Sequence, residues 1–208
     1  MRRASWLSVV CWRVSSFVTF LDALCLYGHL GVGVSAYLGA AAHIMNDTYL
    51  SAAGSILTVE ARHSAYLRAC LGESPYAQPF DNPLDFNEVY TLASAFIASC
   101  PESNGKLPVK AFPTLTMDMS SGMTAMAGDM VKVMAGEGFD KMNATDLHAA
   151  FITATGPMWT PVKPAGKDTF MVTIPKGIAG QSYVVLTCGN TQATDDNIVA
   201  GPAVIEVC

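Results

Sequence analysis

Between Ala23 and Asn46 the chain runs for 24 residues without one Asp, Glu, Lys or Arg. A charge-free run of that length has to be shielded from water, in protein or in lipid. It holds four glycines (Gly28, Gly31, Gly33, Gly39), two histidines (His29, His43) and few large aliphatics, a composition that inserts poorly into a bilayer. The run therefore reads as a helix buried in protein rather than a membrane span, with a turn over Gly28–Gly33. The whole chain shares this bias. Its 208 residues are 51% hydrophobic and only 14% charged, against about 25% charged in a typical soluble domain. Disorder across the chain is excluded, and the length suits one domain with a sizeable core, alone or with a small appendage. The net charge of −5 also excludes a nucleic-acid backbone as partner, since that needs clustered positive charge.

Met1-Arg2-Arg3 and the apolar stretch Trp6–Trp12 resemble the start of a secretion signal, but Arg13 interrupts it and no small-residue cleavage site follows closely. Six cysteines (Cys11, Cys25, Cys70, Cys100, Cys188, Cys208) lack C-x-x-C spacing, which argues against a zinc knuckle. Their even number permits three disulfides in an oxidising compartment. Two sequons, Asn46-Asp47-Thr48 and Asn143-Ala144-Thr145, make Asn46 and Asn143 candidate glycosylation sites in a secreted chain.

Helical patterns occupy residues 14–100, and prolines 101, 108 and 113 punctuate the stretch that follows. Residues 117–155 are rich in Met and Gly, and Pro157, Pro161 and Pro164 close that region. From Phe170 onward the pattern turns to strands: Phe170–Ile174, Ser182–Thr187 and Ala203–Val207. The expected organisation is a helical region over 14–116, a Met/Gly/Pro-rich connection over 117–165 and a small antiparallel β unit over 166–208.

The most informative segment is Asp47–Gly72. Asn46 or Asp47 can cap its start and Gly72 stands where a C-terminal cap belongs. At alternating spacings of four and three one stripe reads Tyr49, Ala53, Ile56, Glu60, His63, Leu67, Cys70. Glu60 and His63 interrupt this apolar face, where a carboxylate is costly unless paired or bound to metal. Glu-x-x-His projects from one helical face, and its oxygen and imidazole donors suit iron, manganese or zinc. The pair can equally be a buried hydrogen-bonded couple, because two donors do not complete a ligand shell.

The stretches Gly33-Val34-Ser35-Ala36-Tyr37-Leu38-Gly39-Ala40-Ala41 and Ile56-Leu57-Thr58-Val59-Glu60-Ala61-Arg62-His63 resemble the ferritin-like domain of fungal stress-response and sexual-development proteins, related to plant desiccation-related proteins. Pro79-Phe80-Asp81-Asn82-Pro83-Leu84, Phe96-Ile97-Ala98-Ser99-Cys100-Pro101 and the tail from Gly180 through Ala203 resemble that family too. The resemblance implies a four-helix ferritin-like bundle, usually secreted. It also implies that this chain starts at the third helix, with 14–46 as the third and 47–71 as the fourth. No Glu precedes Glu60; only Asp22 and His29 stand where a third-helix ligand would. Of the family's ligands only Glu60 and His63 carry over, so a complete di-iron site in one chain is not expected.

Met119, Met123, Met126, Met130 and Met134 follow helical spacing, which suits either Cu(I) ligation or a packed face. With no Cys or His joining the stripe, packing is the expected role. His148 falls in a short helix pattern, Asp146–Phe151, and reads as a surface or satisfied core histidine. The expectation is a mainly α chain with a small β appendage: an incomplete ferritin-like bundle followed by a short antiparallel unit. Its expected role is a secreted, non-catalytic stress- or development-associated protein without a resident cofactor, acting as a homodimer or with a helical partner. The alternative is an iron- or manganese-dependent oxidase or store, with Glu60 and His63 completed by a partner chain.

Overall fold

The computed structural model describes residues 20–118, 125–140 and 146–208. Three α-helices stand among them: α1 (Phe20–Ala40), α2 (Asp47–Leu71) and α3 (Phe86–Ser94), with a 3-10 turn at Ala41–His43 between the first two. None is long and apolar enough to cross a membrane.

Helix α2 forms where its caps place it. The Asn46 side chain accepts from the Thr48 and Tyr49 N–H groups, and Gly72 adopts the left-handed conformation at φ 84°. The Gly72 N–H then donates to Ala69 and that of Glu73 to Arg68, which satisfies the last carbonyls of the helix. Helix α1 runs through Gly28–Gly33 without the turn the glycines suggest. Three of its glycines, Gly31, Gly33 and Gly39, serve close packing instead. A Cβ at Gly31 would overlap the Gln181 carboxamide, and one at Gly39 would overlap the Leu84 carbonyl.

Seven strands follow: β1 (Leu115–Met117), β2 (Met130–Ala135), β3 (Leu147–Ile152), β4 (Met158–Gly166), β5 (Thr169–Thr173), β6 (Gly180–Cys188) and β7 (Ile198–Val207). They form one antiparallel sheet in the order β1-β2-β5-β4-β3-β6-β7. The sheet curls until its edges meet as a nearly closed barrel. Gly201 N–H donates to the Pro113 carbonyl at 2.9 Å, and Ala125 bridges to Val207 in parallel. Inward residues at every second position fill the interior: Phe170, Val172 and Ile174 from β5's line, Val184 and Leu186 from β6, and Ala149 and Phe151 from β3. On the other face of β3 and β6, Ala150 and Val185 pack with Ile198 against Phe112, Ile152 and Trp159. Strand β6 is thus buried on both faces, which accounts for the apolar run Tyr183–Leu186 at its centre.

This architecture overturns the mainly α expectation. The β part is the larger folded unit, not an appendage, and no four-helix bundle forms among the described residues. The residues 117–165 expected to connect two units supply β2, β3 and β4. Met130 and Met134 belong to β2, because a spacing of four fits one face of a strand as well as a helix. His148 lies on β3 rather than in a helix. Pro161 and Pro164 sit within β4, which pairs with β3 up to Pro161 and with β5 from Val162. Each half of β4 therefore has one partner, and a residue without an N–H is tolerated at such edge positions. Met119, Met123, Asn143 and Cys11 lie outside the described residues, as do the side chains of Asp22, Cys25 and His29.

Candidate functional site

Glu60 and His63 part company across the rim of the α1–α2 contact. They differ by about 60° around the helix, and the edge of the packed face passes between them. The Glu60 carboxylate turns inward against Gly33, at which any Cβ would overlap it. Its Oε2 is buried and has no hydrogen-bond partner among the described residues. His63 is exposed. The i, i+3 spacing places two donors on one side of the helix but does not aim them at a common point. No group of three His, Cys, Asp or Glu able to hold a metal occurs among the described residues.

The stripe expected from Tyr49 to Cys70 splits in the same way. Its inner members, Ala53 and Glu60, are partly covered, with Leu57 and Ser64 beside them, and Leu67 and Arg68 are buried. A second line faces outward: Tyr49, Ala52, Ile56, Val59, His63 and Tyr66, spaced three, four, three, four, three. Tyr49 is 70% exposed, Ile56 41%, Val59 39% and Tyr66 37%. This is the spacing of a coiled-coil seam.

A cavity of about 760 Å³ lies between α1, α2, the loop 75–82 and the start of β6. On its floor Ser35 Oγ donates to the Tyr183 hydroxyl at 2.9 Å and Gln181 Nε2 donates to the same oxygen at 3.0 Å. Asn82 Nδ2 donates to the Gln181 carbonyl at 3.3 Å. Arg68 forms an ion pair with Glu206 on β7 at 2.8 Å and also donates to the Ser74 carbonyl. These bonds fasten both helices to the barrel. Burial pushes the Tyr183 hydroxyl up to about 12, against the lowering effect of Ser35 and Gln181, so it stays protonated at neutral pH and offers no base.

The group most displaced toward neutral titration is one the sequence reading missed. Asp85 and Glu88 form a reciprocal cap at the start of α3: Glu88 N–H donates to Asp85 Oδ1 and Asp85 N–H to Glu88 Oε2, both at 2.8 Å. Burial, reinforced by the Asp85 and Asp195 carboxylates, pushes Glu88 up to about 8, while its bond from the Asp85 N–H opposes the shift. The signal was present as Asp85-Phe86-Asn87-Glu88, an acidic cap followed three residues later by Glu.

A family model described as a ferritin-like domain matches residues 28–73. The ferritin-like match begins at Gly28 in α1, takes in the 3-10 turn and all of α2, and ends just after the Gly72 cap. It includes Glu60 and His63 and none of the barrel. No curated protein matches the chain. Ferritin-like bundles that hold paired metal ions draw carboxylates and Glu-x-x-His pairs from four inward-facing helices. The described donors of this helical hairpin do not fit that group. Glu60's orphaned oxygen could accept a cation, but His63 faces away from it.

Proposed function

We propose that the chain is a secreted, non-catalytic interaction protein in which the ferritin-like hairpin, fastened to a β-barrel, pairs with a second copy along the outer face of α2. The observation that carries this reading is the exposed 3-4 line Tyr49, Ala52, Ile56, Val59, His63, Tyr66. Apolar residues at coiled-coil spacing over more than two heptads are stable in water when a helical partner covers them. An antiparallel hairpin is half of a four-helix bundle, so a two-fold pair of hairpins completes the bundle that the ferritin-like sequence pattern calls for. Secretion is supported by Cys70, which is disulfide-bonded, since such bonds persist in oxidising compartments. The wider three-disulfide pattern does not form, because Cys100 carries an exposed thiol. The association with stress or development follows from the resemblance to fungal ferritin-like proteins.

Glu60's orphaned oxygen favours one second reading, a metal site completed by a partner, in which the carboxylate must rotate away from Gly33. Light scattering after gel filtration tests the primary reading. Wild type is expected as a dimer, Ile56→Lys as a folded monomer, and the control Ser51→Lys, off the seam, as a dimer. A wild-type monomer with unchanged Ile56→Lys behaviour contradicts the pairing. Iron or manganese retained at one or more ions per chain after desalting would favour the metal reading instead.

A further inference from the structure

We infer that Asn46 is an N-glycosylation site whose modification is compatible with its capping of α2. The inference rests on the secreted reading above and adds a covalent modification to it. Asn46-Asp47-Thr48 satisfies the sequon, with Asp rather than Pro in the middle. In the folded protein the two ends of the Asn46 carboxamide have separate roles. Its Oδ1 accepts from the Thr48 N–H at 3.0 Å and the Tyr49 N–H at 3.1 Å. The amide is planar, so Nδ2 points away from those two donors, and Asn46 is exposed along with Met45, Asp47 and Thr48 on either side. A sugar on Nδ2 thus displaces no packed side chain and leaves the acceptor oxygen on the helix. Glycosylation keeps the carbonyl acceptor, so the modified side chain still caps α2.

The reaction needs a polyprenyl-pyrophosphate-linked oligosaccharide, which the secretory compartment supplies. The Asn46 nitrogen forms a bond to the anomeric carbon, the bond from that carbon to the phosphate oxygen breaks, and the pyrophosphate departs with the electron pair. Nδ2 gives up one of its two protons. The resulting glycan stands beside Tyr49, at the first position of the exposed seam. It leaves Ile56, Val59 and Tyr66, two to five helical turns away, to a partner helix.

The test expresses the full chain in eukaryotic cells in the Asn143→Gln background, so that one sequon remains. One version begins at Met1 and a second carries an appended cleavable signal peptide. Cell-retained and secreted material are both treated with peptide N-glycosidase. The signal-bearing chain is expected to shift by one glycan, and the shift is expected to vanish in Asn46→Gln and in Thr48→Ala, the latter keeping the cap intact. A signal-bearing chain that shows no glycosidase-sensitive shift in either fraction overturns the inference. A shift in the signal-bearing chain but none in the chain that begins at Met1 supports the inference and counts only against secretion directed by residues 1–13.

Discussion

Glu88→Gln separates the titration of the α3 cap from its geometry. Glutamine keeps the size and the acceptor oxygen that the capping box uses, and it does not ionise. In the folded chain Glu88 titrates at about 8, against an ordinary value of 4.5. Between those two values the folded state holds a proton that the unfolded state has released. Stability therefore falls as pH rises through that window and levels off above it. The 3.5 units (8 − 4.5) correspond to about 5 kcal/mol at about 1.4 kcal/mol per unit. Asp85 is raised in the same direction, mainly by burial, and steepens the fall. At about 2–4 °C per kcal/mol for a chain of this size, the expected separation of melting temperatures reaches roughly 10–20 °C at pH 8.5. Thermal melts followed by circular dichroism every half unit from pH 4.5 to 9 measure it. The variant and wild type should melt together at pH 4.5, and the variant should become progressively the more stable. Parallel curves across the window would refute the reasoning, because they would mean that Glu88 ionises as freely folded as unfolded.

Gly39→Ala drives a Cβ into the Leu84 backbone carbonyl, which has no rotamer to escape by, and should cost about 1–3 kcal/mol in chemical denaturation; a neutral result would show that α1 does not pack there. Glu60→Leu removes a buried oxygen without a partner and should be neutral or stabilise by about 1–3 kcal/mol in metal-free buffer. A melting temperature many degrees lower would reveal a partner for Glu60. Arg68→Ala leaves Glu206 partly buried without its guanidinium and should cost about 3–5 kcal/mol, with the loss reduced in Arg68→Ala/Glu206→Gln. Equal losses in the single and double variants would show that the pair is not coupled.

The parts legible in the sequence are those where local chemistry and tertiary demand agree. Helix α2 announces itself by Asn46 and Gly72, and both act as caps. Strands β5, β6 and β7 announce themselves by β-branched runs: the expected Ser182–Thr187 and Ala203–Val207 lie within β6 and β7, and the expected Phe170–Ile174 overruns β5 by one residue. Strands β2, β3 and β4 were hidden for separate reasons. The methionines of β2 satisfy either period, the Leu147-His148-Ala149-Ala150 of β3 favours a helix intrinsically, and the prolines of β4 imitate a break. Their pairings with strands distant in sequence decide those segments: β2 and β4 lie on either side of β5, and β3 pairs with β6 some thirty to forty residues on. At α1 the glycines read as a turn because the surfaces they admit, Gln181 and Leu84, are distant in sequence. The candidate site was half legible. Glu60 and His63 were singled out by type and spacing, but which way each faces depends on where α1 docks. The exposed seam was blurred for the same reason, since a single stripe from Tyr49 to Cys70 mixes residues of two faces.

Whether the α1–α2 hairpin is a docking element rather than a metal centre is decided by sedimentation equilibrium of the wild-type chain at micromolar concentration in metal-free buffer. The expected result is twice the chain mass, unchanged by added iron or manganese and reduced to the single chain mass by Ile56→Lys. A folded monomer, or a dimer that forms only when metal is added, would contradict it.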